Sequence, residues 1–449
     1  MSRRAVAVSR LPRDPGITGW NAILPDEPAR PPLADHETAD WLVIGAGFAG
    51  LSAARRLRQL RPDDTVAVLE ATRVAHGPAG RNSGFMIDLP HDLQADGYGG
   101  ETEADRRRIR RNRAAIAFAA DAAEAYGLGE EAFYRAGKIN AAATDRGLAH
   151  NRTYAAHLGA LGEQWETLSA GDMRAITGST YWCGGLFTPG MAMIQPALYV
   201  RGLARGIVSD GVSVWENSPV VALEPVNGAW RARTPAGSIS SPRVILAVNG
   251  HAESFGFYRR RLAHVFTYAS MTRALTELEV LRLGGHPRWG IVPADPMGTT
   301  VRRISGTGGD RIVVRSRFTY DPKMEVDASR VARIGEDHDR AFAARFPMLQ
   351  GVEMEFRWGG RLCLSRNGAS AFGEIADGVV SACGCNGLGT VHSTLAGVLA
   401  AELSTGLQSE FLRSMLEEAS PNPLPPEPIA WLGATARIRW SERRASREL

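Results

Sequence analysis

The segment from Trp41 to Glu70 constrains the fold of this chain more than any other segment. It begins with a continuous apolar run, WLVIG at residues 41–45, which is typical of a strand buried on both faces. The sequence GAGFAG then leads into an Ala-rich helical pattern over residues 47–60. A second apolar run, TVAVL at 65–69, comes next and is followed by Glu70. This order predicts an α/β fold that opens with a βαβ dinucleotide-binding unit.

The glycine motif indicates a dinucleotide site only in this context of strand, helix and strand. Glycine makes up 49 of the 449 residues, so three fixed positions match GxGxxG by chance about 0.6 times in such a chain. Glu70, however, lies 20 residues after Gly50, where the fingerprint places a ribose-binding acid. The glycines allow a pyrophosphate to approach a helix N-terminus, whose N–H groups favour negative charge. The predicted dinucleotide site comprises Gly45, Gly47, Phe48, Ala49, Gly50, Glu70 and Ala71.

A second glycine-rich segment favours FAD over NAD. The sequence HGPAGRNSGF at residues 76–85 follows Glu70 closely, and its small residues would let a main chain pack flat against a flavin ring. A second GxGxxG motif, expected for an additional NAD(P)H site, is missing from the sequence. We therefore predict FAD as the cofactor.

With its later motifs, the chain resembles the D-amino-acid oxidase superfamily of FAD-dependent oxidoreductases, and within it the gamma-glutamylputrescine oxidase branch. The resemblance extends from about residue 39 to residue 406. Its segments are ADWLVIGAGFAGLSAARRL, GPAGRNSGF, PALYVRGLARG, SPVVALE, VILAVNG, RWGGRLCLSRNGASAFGEI and VVSACGCNGLGTVHSTLAG. It implies a Rossmann-like FAD-binding domain joined to a mixed-sheet substrate domain.

The resemblance also implies which residues bind the cofactor. Val220 would contact the adenine side through its backbone. Cys363 lies near the position where sarcosine oxidases attach FAD covalently, but it is about three residues out of register, so non-covalent FAD is expected. A helix that begins near residue 390 would direct N–H groups at the flavin and stabilise its reduced form. The residues expected around the flavin ring are Arg81, Asn82, Ser83, Gly84, Asn386, Gly387, Leu388, Gly389 and Thr390.

The implied reaction is oxidation of an amine. A C–H bond next to a neutral amine nitrogen delivers hydride to flavin N5, the imine hydrolyses, and O₂ or another acceptor reoxidises the flavin. One alternative is a hydroxy-acid dehydrogenase, which needs a general base, with His392 or His91 as the candidate. Another is a flavin-bearing subunit without a substrate of its own.

Four residues are candidates for catalysis or substrate binding: His392, Arg303, Tyr268 and Asp88. Monomeric sarcosine oxidase holds its substrate carboxylate with an arginine and a lysine, which align near Gly84 and Val391 and are absent here. Arg302 or Arg303 is an alternative carboxylate ligand. Adjacent strand residues point to opposite faces, so only one of the two can serve, and Arg303 is favoured. The missing clamp favours a larger amine.

The chain divides into several predicted regions. The first is a Pro- and Arg-rich N-terminal arm without periodicity, and the last is a C-terminal tail that includes PNPLPPEP. The predicted boundaries are 1–40 for the arm, 41–100, 194–255 and 355–410 for the FAD-binding domain, 101–193 and 256–354 for the substrate domain, and 411–449 for the tail.

Composition excludes several classes of protein. An apolar fraction of 44% and a charged fraction of 22% are ordinary for a folded chain. The isoelectric point near 9.0 reflects charge spread along the chain, so no nucleic-acid partner is expected. Four cysteines without a CxxC motif indicate a reducing compartment, and we expect a cytoplasmic protein. The uncharged run at 378–401 contains five glycines and predicts a strand, a turn and a helix rather than a membrane span. The oligomeric state stays open.

Overall fold

The computed structural model describes residues 4–90 and 101–449. The helices over these residues are α1 (Gly19–Ala22), α2 (Phe48–Leu60), α3 (Thr102–Ala125), α4 (Asp145–Leu161), α5 (Ala170–Thr177), α6 (Pro196–Ser209), α7 (Glu277–Leu283), α8 (Ala328–Arg345), α9 (Gly389–Thr405), α10 (Glu410–Leu416) and α11 (Ile429–Ala445). The strands are β1 (Val6–Ala7), β2 (His36–Thr38), β3 (Trp41–Ile44), β4 (Val66–Leu69), β5 (Phe85–Met86), β6 (Phe133–Arg135), β7 (Lys138–Ala142), β8 (Glu166–Ser169), β9 (Gly184–Thr188), β10 (Ala192–Ile194), β11 (Ser213–Trp215), β12 (Ala222–Val226), β13 (Ala229–Arg233), β14 (Ser238–Ser241), β15 (Arg243–Leu246), β16 (Ala263–Thr272), β17 (Trp289–Pro293), β18 (Thr300–Ile304), β19 (Arg311–Tyr320), β20 (Met354–Leu364), β21 (Ala371–Ala376) and β22 (Val379–Cys383).

A six-stranded sheet contains the predicted βαβ unit. Its strand order is β11-β4-β3-β15-β22-β21, and all neighbours are parallel except the last pair. Ile44 pairs with both Leu69 and Leu246, so the carboxyl ends of β3, β4 and β15 lie at one edge. Ligands of open α/β sheets bind outside this edge. The predicted α/β fold with a Rossmann-like domain is confirmed.

Glycines allow the helices to pack closely in this half of the molecule. A Cβ atom at Gly50 of α2 would lie 1.7 Å from the carbonyl oxygen of Gly45, so this helix touches the backbone that leaves β3. A Cβ at Gly397 of α9 would lie 2.0 Å from the carbonyl oxygen of Ala49. The two helices therefore cross backbone to backbone, and both begin beside the carboxyl edge of the sheet.

The second large sheet is mixed, as predicted for the substrate domain. Its eight strands have the order β20-β16-β19-β18-β17-β7-β9-β8, with only β17 and β7 parallel. Helix α8 packs on β16, β19 and β20. Two smaller sheets have the orders β1-β12-β13-β14-β2 and β5-β10-β6.

The N-terminal arm is folded onto the rest of the chain rather than extended. Strand β1 pairs with β12, and β2 pairs with β14. Trp20 of α1 is completely buried and donates from Nε1 to the carbonyl oxygen of Asn82 at 2.9 Å. These contacts join distant parts of the sequence, which explains why local periodicity did not indicate them. The other domain boundaries stay a prediction.

The C-terminal tail also folds, as α10 and α11. Helix α11 packs on β19, and the buried Glu448 accepts a hydrogen bond from the N–H of Ala143 at 2.8 Å. The uncharged run at 378–401 forms β22, a turn and α9, as predicted. Across residues 4–90 and 101–449, no helix is both long and apolar enough to cross a membrane.

Candidate active site

One cavity of about 260 Å³ extends from the carboxyl edge of the six-stranded sheet to the eight-stranded sheet. Its first end is lined by the turn after β3, by Glu70 after β4 and by residues that follow β15. Its far end is lined by residues of β16, β19 and β20, which include Tyr268 and Arg315. A single cavity therefore connects the predicted dinucleotide site with the predicted substrate sheet.

The glycine loop leaves no room for side chains. Gly45 has φ +102°, and a Cβ there would lie 2.6 Å from the carbonyl oxygen of Ala247. Gly47 immediately precedes α2, so the first turn of the helix reaches the cavity through Phe48 and Ala49. This arrangement brings uncapped helical N–H groups to the cavity wall, where they favour an anion.

Glu70 stabilises the same loop. Its carboxylate accepts hydrogen bonds from the N–H groups of Ala46 at 2.9 Å and Thr72 at 3.1 Å. Burial raises the pKa of Glu70, and these hydrogen bonds oppose that shift. Because a carboxylate has about four acceptor positions, one side of Glu70 is still able to accept a hydroxyl from the cavity.

Hydrogen bonds of its main chain and side chains fix the next segment, residues 77–85. Trp358 donates to the carbonyl of Arg81 at 3.1 Å, and the Asn82 side chain accepts from the N–H of Gly84 at 2.8 Å. The buried Arg81 side chain donates to the carbonyls of His76 and Gly359. Burial lowers the pKa of Arg81. The side chains thus hold this wall from behind.

Helix α9 begins at the same cavity. Gly387, Leu388, Gly389 and Thr390 line it, and no side chain caps the first helical turn. The Thr390 hydroxyl donates to the carbonyl of Phe85 at 2.6 Å, which joins this helix to the 77–85 segment. The cavity is therefore bordered by two helix N-termini, those of α2 and α9.

Comparisons with known proteins agree with this geometry. The family described as FAD dependent oxidoreductase (DAO) matches residues 40–403. The chain belongs to this family. It is 27% identical over 415 residues to a probable oxidoreductase OrdL of Rhizobium meliloti, covering 89% of this chain and 91% of that protein. It is 26% identical over 401 residues to the gamma-glutamylputrescine oxidoreductase of Escherichia coli, covering 84% and 86%.

Solved structures support the fold of this DAO family member. The glycine oxidase of Geobacillus kaustophilus superposes with a TM-score of 0.68 at 19% identity, covering 86% of this chain and 99% of that one. An L-proline dehydrogenase from P. horikoshii gives a TM-score of 0.64 at 16% identity, covering 84% and 96%.

The cavity residues fit the family's cofactor. The glycine loop is a cradle that a Cβ would fill, and helix N-termini and Glu70 supply donors and an acceptor for a dinucleotide. Among the predicted cofactor residues, Gly50 and Asn386 do not line the cavity. Gly50 supports the packing of α2, and Asn386 accepts from the N–H of Ser365 at 2.8 Å and donates to Ala369 at 3.0 Å. The predicted residues that do line it are Gly45, Gly47, Phe48, Ala49, Glu70, Ala71, Arg81, Asn82, Ser83, Gly84, Val220, Gly387, Leu388, Gly389 and Thr390.

Of the four predicted catalytic residues, only Tyr268 lines the cavity. Its hydroxyl lies 2.6 Å from that of Thr319, and burial raises the pKa of Tyr268 to about 12. Its phenol therefore stays neutral at physiological pH, and its ring packs with Phe266 and with Val331 of α8.

The structure places Arg303 and Asp88 away from the cavity. Arg303 donates to the carbonyl of Gly284 and pairs with Asp310 at 3.1 Å, so the expected carboxylate ligand is occupied elsewhere. Asp88 is fully buried and pairs with Arg113 at 3.0 Å. Both predictions of a site role are corrected, because neither residue lines the cavity and each has a structural ion pair elsewhere.

His392 is also absent from the cavity wall. Its Nδ1 lies 3.0 Å from the carbonyl oxygen of Cys385, to which it donates. Burial, with smaller contributions from the charges of Arg108 and Arg111 in α3, lowers the pKa of His392 to about 4. It is a neutral packing residue of α9. His91, the other candidate base, lies outside the described residues.

The sequence did not single out four charged or polar residues of the wall. Arg315 lies in β19, and Arg361 lies within the RWGGRL motif of the family resemblance. Asp14 lies in the arm without periodicity, and His251 in a short turn after β15. Side chains alternate between the two faces of a strand, so the sequence could have indicated that Arg315 lies on the opposite face from its two neighbours in the chain. Asp14 contacts residues that are distant in the sequence, so no local pattern indicates its role.

Proposed function

We propose that this flavoprotein oxidises the C–N bond of an amine or amino-acid-like substrate. FAD, when bound, accepts a hydride from the carbon beside the amine nitrogen, and the imine product hydrolyses to a carbonyl compound. The similar proteins support an amine, since they include a gamma-glutamylputrescine oxidoreductase and a glycine oxidase. The larger amine remains the favoured substrate class, with O₂ or another acceptor for reoxidation.

One observation carries the proposal: the predicted general base His392 is not on the described part of the wall, and each carboxylate and imidazole on that wall is hydrogen-bonded to another protein group. Oxidation of a hydroxyl group needs a base to remove its proton, whereas a neutral amine assists hydride loss through its own lone pair. The Tyr268 phenol stays protonated. The paired groups are Asp14 with Arg361, Glu70 with Ala46, His251 with Arg361, and His264 with Glu253.

Arg315 is our candidate for a substrate carboxylate, in place of Arg303. It lies on β19, where its cross-strand neighbours are Ala269 and Thr300, and all three line the cavity. A carboxylate at Arg315 would therefore pair with a cation between Ala269 and Thr300.

The wall also supports non-covalent FAD. Cys363 lines the cavity, but burial raises the pKa of its thiol well above the usual range. A thiolate is the reactive form of cysteine, so this residue is a poor candidate for a covalent link. Glu70 would accept from a ribose hydroxyl, Val220 would contact the adenine, and the first turn of α9 would face the flavin ring.

The cytoplasmic location is also a proposal. It is supported by the absence of disulfides among the four cysteines, all of which are described and free.

An anaerobic reduction screen tests the function. The purified holoprotein is mixed without oxygen with amines, amino acids and hydroxy acids, and loss of the oxidised flavin spectrum is recorded. We expect reduction by amines. In the variant Arg315→Met, reduction by carboxylate-bearing amines should slow by about 10- to 100-fold, whereas simple amines should be affected less. Reduction by hydroxy acids alone would contradict the proposal.

A further inference from the structure

The N-terminal segment forms part of the cavity wall although it precedes the region that matches the family. The match begins at residue 40, yet Val8, Arg10, Leu11, Pro12 and Asp14 line the cavity. Their main chain is hydrogen-bonded next to Val220 and near the turn after β15, through Val8 N–H to Val221 and Ser9 N–H to Ser254. The cavity at the proposed adenosine end is therefore completed by residues that the family region does not supply.

In this segment, a single stretch of main chain separates the cavity from solvent. Residues 8–15 have neither helix nor strand, and most side chains between residues 8 and 13 are exposed or half-buried. Leu11, for example, is 40% exposed although it also lines the cavity. Solvent lies on one side of residues 8–14 and the cavity on the other. We refer to residues 8–14 as the strap.

The two ends of the strap are attached to different parts of the fold. At its start, Val8 N–H donates to the carbonyl of Val221 at 2.9 Å, next to the pairing of β1 with β12. At its end, the Asp14 carboxylate forms a bidentate ion pair with Arg361 of β20, with N···O distances of 2.8 and 3.1 Å. The side chains of Asp14 and Arg361 are only 10% and 8% exposed.

Arg361 is further fixed by His251. Its Nη1 donates to Nε2 of this histidine, which lies in the turn after β15. Burial and the charge of Arg361 lower the pKa of His251 to about 3, so the ring is neutral and its Nε2 can accept. Asp14, Arg361 and His251 thus join the strap, the substrate sheet and the FAD-binding sheet in one buried network.

A neighbouring contact holds the chain just after the strap. The Arg81 guanidinium, which anchors the 77–85 segment, also donates to the carbonyls of Pro15 and Gly16. The latch of the strap is therefore adjacent to the wall proposed for the flavin ring. Any movement of the strap away from the cavity must break the pair between Asp14 and Arg361.

We infer that the strap closes over the ADP half of bound FAD and that the pair between Asp14 and Arg361 is its latch, which slows cofactor release. The inference rests on FAD binding in this cavity and is independent of the amine substrate. Asp14 is a positioning residue in this account, because it acts through the strap and Arg361.

The test is the rate of FAD release from the full-length holoprotein. In Asp14→Asn, an NH₂ group replaces one carboxylate oxygen and the negative charge is lost, so the buried Arg361 is left without a counter-ion, which favours the open strap. We expect FAD release to accelerate, and apoprotein affinity for FAD to fall, by roughly 10-fold or more. The control Glu37→Gln makes the same charge change on the exposed strand β2 of the same arm and should leave the release rate unchanged.

Two further measurements separate a latch from a general loss of folding. The double variant Asp14→Asn with Arg361→Met should release FAD no faster than the faster single variant, because the two residues act as one unit. Trypsin cleavage after Arg10 and Arg13, located by mass spectrometry, should be slower in holoprotein than in apoprotein. Equal cleavage of both forms, or FAD release from Asp14→Asn at the wild-type rate, would overturn the inference. If FAD binds but amines fail to reduce it, the proposed function fails and the strap does not.

Discussion

At the scale of single residues, the site depends on groups that serve the protein and the cofactor together. Glu70 accepts two backbone hydrogen bonds from the loops that surround it and still presents an acceptor to the cavity. Arg81 and Thr390 line the cavity and donate hydrogen bonds to main-chain carbonyl groups of its wall, those of His76 and Phe85. Side-chain chemistry in this site therefore mostly shapes a backbone surface.

Replacing Glu70 tests this dual role. In Glu70→Ala, the N–H groups of Ala46 and Thr72 lose their acceptor and the ribose loses a charged one, so FAD affinity should fall by about 10- to 100-fold. Glu70→Gln keeps one acceptor oxygen and should lose less. Titration of the apoprotein with FAD measures both. An unchanged dissociation constant in Glu70→Ala would exclude this residue from the dinucleotide site.

For His392 we predict that replacement has little effect on the rate of flavin reduction. A histidine that served as general base would contribute about 10²- to 10⁴-fold to the rate. Because the structure gives His392 a carbonyl partner and no place in the wall, His392→Gln should keep flavin reduction within about 3-fold of wild type, far below that range. Stopped-flow reduction by the best amine measures the rate. A loss of two orders of magnitude would restore the hydroxy-acid alternative.

At the scale of elements, close contact between α2 and α9 sets the positions of both helix N-termini at the cavity. A methyl group at Gly397 would meet the carbonyl of Ala49, which is backbone and cannot rotate away. The helices would have to separate, and both helix ends would shift with them.

We therefore expect Gly397→Ala to lower the free energy of unfolding by about 1–3 kcal/mol and to weaken FAD binding. The matched control is Gly159→Ala in α4, where an added Cβ meets no atom within 4 Å. There, alanine should stabilise the helix by about 0.5–1 kcal/mol. Urea unfolding measures both changes, and equal destabilisation by the two substitutions would disprove the packing account.

Helix α8 contributes a pH dependence. Burial lowers the pKa of His338 to about 4, and its Nδ1 lies 2.8 Å from the Ser270 hydroxyl. The unfolded chain, with a histidine pKa near 6.5, binds the proton first, so stability is full above about pH 6.5 and declines as the pH falls towards 4. Unfolding in urea at pH 7 and pH 5 should show this loss, and His338→Asn should reduce it. An equal loss in the variant would assign the pH dependence to other groups.

The elements themselves were largely predictable, and the site only in part. The βαβ unit and the strand-turn-helix at 378–401 have strong local patterns, so their predicted positions agree with the structure within a few residues. Strand alternation predicts that only one of Arg302 and Arg303 can face the site. It does not indicate which face of the strand meets the cavity, and the choice of Arg303 was wrong. The pairing of Asp14 with Arg361 spans 347 residues and leaves no local signal.

At the scale of the whole molecule, one cavity joins a dinucleotide-binding sheet to a substrate sheet, and the N-terminal strap completes its wall. The family region alone supplies the two sheets, whereas the arm and the tail reinforce them from outside. We propose that this cavity holds FAD and exposes it to the C–N bond of the substrate.

The most direct test compares two substrates that differ in one group. An amine that reduces the flavin in the screen is matched with the hydroxy compound of the same carbon skeleton, and each is mixed anaerobically with the holoprotein. We predict that the amine reduces the flavin at least about 100-fold faster, a difference of about 2.7 kcal/mol in activation free energy. Faster reduction by the hydroxy compound, or a colourless protein that takes up no added FAD, would contradict the account.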